Sequence, residues 1–161
     1  PTKYSWLTGK PVLYHGGIAS GISPIVFSSS VKESEIIGTE LGKYAQGFTQ
    51  PPETYKGVKL STAQLSEFHR LHGTLKIGGK TLEEALVDLF HSPLYDINGE
   101  TYPVHGEDPI QGRRPAMIRG VIERYRKMAL RELFAKDRTL QQGVMDARRD
   151  KAMSKLRSYA Q

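Results

Sequence analysis

Residues 115–136 read PAMIRGVIERYRKMALRELFAK, a run whose apolar spacing points to a mainly α chain. Ile118, Val121, Ile122, Tyr125, Ala129 and Leu133 recur at the three- and four-residue steps of one helix face. Pro115 suits a first helical turn, where its missing N–H would have had no intrahelical partner. Arg119, Arg124, Arg126, Lys127 and Arg131 fall largely outside the apolar stripe. The stretch predicts the longest helix of the chain and the organising element of its core.

Two shorter helices are predicted ahead of it. Ser61 with Gln64 three residues on forms a capping box before Leu65, Phe68, Leu71 and His72, and Gly73 supplies a stop. Thr81 with Glu84 repeats the device before Leu82, Ala85, Leu86, Leu89 and Phe90, with Pro93 as the closing signal. From 94 to 112 the chain holds Asn98-Gly99, Gly106, Pro109 and Gly112, which predicts a long surface loop with a small hairpin at Asn98-Gly99. Beyond the long helix, Asp137 or Thr139 caps a final one. Its thin stripe is read as Leu140, Val144, Ala147, Leu156 and Tyr159, and it is expected to pack on a partner or project into solvent.

The N-terminal third reads differently. Residues 1–30 are rich in Gly, Ser and Pro, with only short apolar runs at Val12-Leu13-Tyr14 and Ile25-Val26-Phe27. Ile36, Ile37, Leu41 and Tyr44 space a helix face within Val31–Ala45, Gly47 is its stop, and Pro51-Pro52 imposes extended backbone. The expectation is a mainly α chain: an extended, irregular arm or linker over 1–55, and a helical C-terminal module over 56–161. The chain opens at Pro1 without Met and its first sixty residues look like a linker entering a domain, so it is expected to belong to a longer protein.

Charge is divided as unevenly as structure. Residues 113–161 hold fourteen Lys and Arg against five Asp and Glu, a balance of +9, while residues 1–112 hold nine against twelve, a balance of −3. A basic helical end on a mildly acidic body points to an anionic partner, either nucleic acid or an acidic protein surface. The candidate contacts are Arg113, Arg114, Arg119, Arg124, Arg126, Lys127, Arg131, Arg148, Arg149 and Lys151. The absence of Cys excludes disulfides, thiolate metal sites and a cysteine nucleophile. No apolar run is long enough for a membrane span.

Motifs that suggest chemistry fail on spacing. Gly79-Lys80-Thr81 resembles the end of a phosphate loop, but the first glycine of that motif belongs at position 74, which is Thr74. The context is a turn between helices, not a strand leading into one. His69 and His72 lie three apart with Glu67 nearby, and a third metal ligand from His15 or His105 has nothing to support it. His15-Gly16-Gly17 lacks the nucleophile elbow that accompanies an oxyanion loop. The carboxylates Asp96, Glu107 and Asp108 are scattered in the predicted loop. No catalytic residue, metal or cofactor is therefore assigned. Few aromatics interleave the basic residues, only Tyr125, Phe134 and Tyr159, so any nucleic-acid contact is expected to be nonspecific.

Gly57-Val58-Lys59-Leu60-Ser61-Thr62-Ala63-Gln64, followed by Phe68, Leu71 and Gly73, resembles a pattern from the C-terminal ends of very large tailed-phage proteins. There, G-V-x-L-T-x-x-E/Q opens a helix that ends in L-x-G. Gly106-Glu107-Asp108-Pro109-Ile110-Gln111-Gly112-Arg113, running on to Ile118, is similar to their D-G-P-x-G-x-R-x-x-x-I, with Asp108-Pro109 in place of D-G-P. Leu7-Thr8-Gly9-Lys10-Pro11 is similar to their L-T-G-x-P lead-in. The likeness covers roughly residues 55–145 and is carried by caps, turns and core positions.

The resemblance implies a tape-measure protein or a large internal virion protein delivered with the genome. The expected function is a C-terminal anchoring or assembly module, structural and not enzymatic. It would be located in the virion and assembled in the bacterial cytoplasm. Implied partners are tail, portal or tail-tip components and further copies of the chain. The alternatives are a DNA-contacting basic module of an ejected virion protein, or a fragment of a virion-associated cell-wall enzyme.

Overall fold

The computed structural model describes residues 1–12, 31–44, 48, 50–100 and 113–160. Within them the order is α1 (Val31–Gly42), β1 (Thr54–Tyr55), β2 (Val58–Lys59), α2 (Thr62–Thr74), α3 (Leu82–Phe90), α4 (Pro93–Glu100), α5 (Arg114–Lys136) and α6 (Arg138–Tyr159). The fold is mainly α.

Both capping boxes form. The Ser61 hydroxyl accepts from the Gln64 N–H at 3.1 Å, and the Gln64 side chain accepts from the Ser61 N–H at 2.8 Å. Thr81 and Glu84 reproduce this at the head of α3. Gly78 and Gly79, both at positive φ, make a two-residue turn closed by paired Ile77–Lys80 backbone bonds of 2.9 and 3.1 Å. The phosphate-loop look-alike is thus a tight turn, and its Lys80 pairs with Asp88.

α5 spans two apolar clusters. Its first half contributes Ile118, Ile122 and Tyr125 to a cluster with α3 and α4, and its second half gives Ala129 and Leu133 to one with Leu60, Phe68 and Leu71. The Tyr125 hydroxyl donates to the Lys80 carbonyl at 2.6 Å, which ties α5 to the turn before α3.

Some described residues ahead of β1 pack on this core. Trp6, Leu7, Ile37 and Leu41 are buried in the same cluster as Leu82, Leu86, Ile118 and Ile122. The polar setting hides two adjacent apolar side chains that seat against α2 and α5. Leu13-Tyr14, Ile25-Val26-Phe27 and Gly47 lie outside the described residues.

Gly73 does not stop α2, which continues to Thr74. A Cβ at Gly73 would overlap the backbone of Thr8 and Gly9, so its bareness is what lets the N-terminal segment cross the helix. Gly9 itself sits at φ +67.

A further correction concerns 93–100, which is helical and not loop or hairpin. Ser92 caps α4 by accepting from the Tyr95 N–H at 3.1 Å, and Pro93 takes the first helical position. Asn98-Gly99 lie within α4. Residues 101–112 lie outside the described part. The one strand pair among the described residues was not expected. β1 and β2 are antiparallel, joined by Lys56 and Gly57 at φ 47 and 85.

Candidate partner interface

α6 is locked to the body at one end only. The Asp137 carboxylate caps it by accepting from the Leu140 N–H at 2.8 Å. Leu140 and Val144 are buried with Ala129 and Leu133. Gly143 faces the hairpin, where an added Cβ would come within 3.2 Å of Val58. Ala147 is half-buried, and every residue from Arg148 to Ala160 is exposed. About 18 Å of helix is thus covered by nothing among the described residues.

The apolar residues of α6 form two stripes, not the single one expected. The nine positions from Ala147 to Leu156 span two and a half turns, so these side chains point in opposite directions. Leu140, Val144 and Ala147 face the body. Met145, Ala152, Leu156 and Tyr159 recur at steps of seven, four and three on another face. Of these, Met145 is 63 % exposed, Leu156 60 % and Tyr159 75 %. Arg149 fills the remaining place in this second stripe, and its guanidinium lies 3.0 Å from the Asp146 carboxylate.

The ten candidate cations do not form one patch. Arg124, Lys127 and Arg131 are exposed on the side of α5 away from the core, and Arg113 lies on the same line three turns earlier. Arg148, Arg149 and Lys151 are exposed on the free half of α6, where Lys155 and Arg157 extend them. Arg119 is exposed with its guanidinium 5.8 Å from the Phe48 ring centre.

Arg114 and Arg126 are half-buried, unlike the other eight candidates. Arg114 donates to the carbonyls of Tyr95 and Asp96 at 2.8 and 3.1 Å and lies 4.5 Å from the Tyr95 ring centre. It fastens α4 to α5. Tyr95 in turn donates to Glu40 at 2.7 Å. Burial and then Glu40 push the Tyr95 phenol well up. For Glu40 burial acts upward, but the bonds from Lys43 and Tyr95 outweigh it and hold the carboxyl below its usual range. Arg126 is half-buried beside His69 and His72.

His69 and His72 pack against the N-terminal segment and α5. His72 donates from Nδ1 to the Trp6 carbonyl at 2.7 Å, and burial pushes its imidazole down to about 4. Burial and Arg126 also lower His69. The cavity they line with Trp6 and Ile122 is about 10 Å³, the size of one solvent molecule and far below that of a substrate site. Trp6 Nε1 is buried with no hydrogen-bond partner among the described residues. Among those residues no group of three or more His, Asp or Glu could hold a metal. His15 and His105 fall outside them.

A wider cleft of about 450 Å³ is lined by Glu83 and Glu84. Neighbours on a helix diverge by about 100°, and Glu84 is engaged in the Thr81 box, whose bonds lower its carboxyl. The two carboxylates do not converge on a reacting atom.

Compared with models of protein families, with curated proteins and with solved structures, the chain has no match. Among the described residues no helix is long and apolar enough to cross a membrane. Among the described residues, the exposed cations and apolar side chains of α5 and α6 make up the candidate interface. Sequence reading found their cations. It missed the second stripe of α6, which the same helical spacing, followed past Ala147, would have separated.

Proposed function

We propose that this chain is a helical anchoring or assembly module of a virion structural protein, of the tape-measure or large internal kind. It fixes one end of a long protein against neighbouring tail or portal components or further copies. The observation that carries a docking role is the free half of α6, an ordered helix presenting Leu156 and Tyr159 among five cations to solvent. An apolar strip of this kind on a helix is suited to a protein surface. The virion assignment is supported by the resemblance of residues 55–145 and by the structural nature of its motifs.

A photo-crosslinker at Lys151 in assembled particles tests this reading. The expected product joins the chain to a tail or portal protein or to another copy. Absence of the chain from the particle, or crosslinks to DNA alone, overturns it. Changing Arg148 and Arg149 together to Lys keeps the charge and removes guanidinium forks, and is expected to impair assembly.

A second reading is contact with DNA through α5. It is favoured by Arg113, Arg124, Lys127 and Arg131, which no ion pair joins to a carboxylate among the described residues. Four phosphate contacts would give a log–log salt slope of about −3.6 on duplex DNA. A flat slope removes this reading.

A further inference from the structure

We infer that the free half of α6 pairs, along its second stripe, with an acidic amphipathic helix of another protein. This deepens the docking role of α6 and rests on that role, not on the virion assignment.

The width of the stripe sets the kind of surface. Met145, Arg149, Ala152, Leu156 and Tyr159 follow one another at steps of four, three, four and three, the alternation of a two-helix seam. Such a strip is narrower than the broad apolar face of a helix that lies on lipid. It does not continue the body-facing stripe, and none of the described residues covers it.

Charge then selects the occupant. Arg148 and Lys155, seven apart, flank the seam on one side. Asp146 and Met153 lie on the other. Arg149 stands within the seam itself, and its side chain is 72 % exposed. Asp146 meets one edge of this guanidinium at 3.0 Å, and closing a helix over it takes water from the remaining N–H groups, which is unfavourable unless a partner acceptor meets them. The fork geometry of Arg and carboxylate fixes register at that level.

A second copy of the chain cannot supply this. In a parallel, in-register pair Arg149 meets Arg149, and in an antiparallel pair the flank residues Arg148 and Lys155 face each other. An acidic helix satisfies both positions. It needs a Glu opposite Arg149, Glu along the flank facing Arg148 and Lys155, and Leu-type residues against Leu156 and Tyr159. Polyanions without apolar residues match the cations but leave the seam wet.

The test uses the full chain and a labelled synthetic helix of about three heptads. The peptide carries Leu along its seam, one Glu in the seam for Arg149, and Glu on both flanks so that it repels itself. Anisotropy is expected to show saturable binding that weakens about tenfold or more, or about 1.4 kcal/mol, in the double variant Leu156→Ser, Tyr159→Ser, which keeps every cation. The double variant Arg148→Glu, Lys155→Glu is expected to lose this peptide and gain one flanked by Lys. Wild-type helicity by circular dichroism in both variants would show that α6 is intact.

Polyglutamate, duplex DNA or phosphatidylglycerol vesicles binding as tightly as the peptide would overturn the inference. So would unchanged peptide binding by the serine variant, or a dimer of the chain that the serine variant abolishes. Incorporation into particles with no peptide binding would remove the seam alone. Peptide binding with no incorporation would remove the virion assignment alone.

Discussion

α5 and α6 are near twins in length, at 23 and 22 residues, and carry seven and six Lys or Arg. Yet α5 buries residues from Pro115 to Leu133, whereas α6 buries only Leu140 and Val144. Charge does not separate them. Phase does: the apolar residues of α5 stay on one line for five turns, and those of α6 change face after Ala147. A helix whose apolar line breaks can be held by its own fold at one end only. What lies past the break is available to something else.

The contrast can be broken most sharply at Ile122, which is 4 % exposed at the middle of α5. Ile122→Ala is expected to destabilise the chain by about 3–4 kcal/mol in urea unfolding. A loss near zero would mean that α5 is no more anchored than the end of α6.

Acid should loosen the same body by about 3 kcal/mol. The folded pKa of His72, about 4, lies below its ordinary 6.5, so the unfolded chain binds the extra proton. This contribution is complete above about pH 6.5 and is lost as pH falls towards 4. Urea midpoints across that window measure it, and the His72 imidazole resonances should titrate near 4. An imidazole titrating near 6.5 would contradict the buried site.

Next in size is Gly73→Ala, at about 2–3 kcal/mol, because the new methyl displaces Thr8 and Gly9 from α2. Amide exchange should then rise in residues 1–12 ahead of the rest of the body. The smallest effect sharpens the comparison from the other side. Leu156→Ala is expected to change the stability of the isolated chain by less than about 0.5 kcal/mol. A larger loss would place Leu156 against the body.

Local devices were legible. The Ser61 and Thr81 boxes, the Asp137 cap and the stripe of α5 each depend on residues within a turn or two of one another. Features set by contacts between distant segments were not. The seating of Trp6 and Leu7 depends on a bare glycine 66 positions beyond Leu7. Lys56-Gly57 hides its hairpin because Lys rarely takes positive φ. Asn98-Gly99 carries a turn signal, yet Ser92, Pro93 and the buried Tyr95 hold that segment in a helix. Arg114 looked like any other cation until the backbone of α4 came within its reach. Of the candidate interface, the cations could be listed from sequence, but only a folded body distinguishes the face of α6 it covers from the face it leaves open.

The only tryptophan of the chain, Trp6, is 5 % exposed and lies at a tilt of 47° to the His72 ring, with ring centres 5.9 Å apart. The molecule therefore has a built-in optical reporter at the crossing of its N-terminal segment and α2. Its emission will shift to the red when that segment lifts away and water reaches the indole. It will stay unchanged when a partner engages the far end of α6. One fluorophore thus separates undocking of the first twelve residues from events at the other terminus, with no label added.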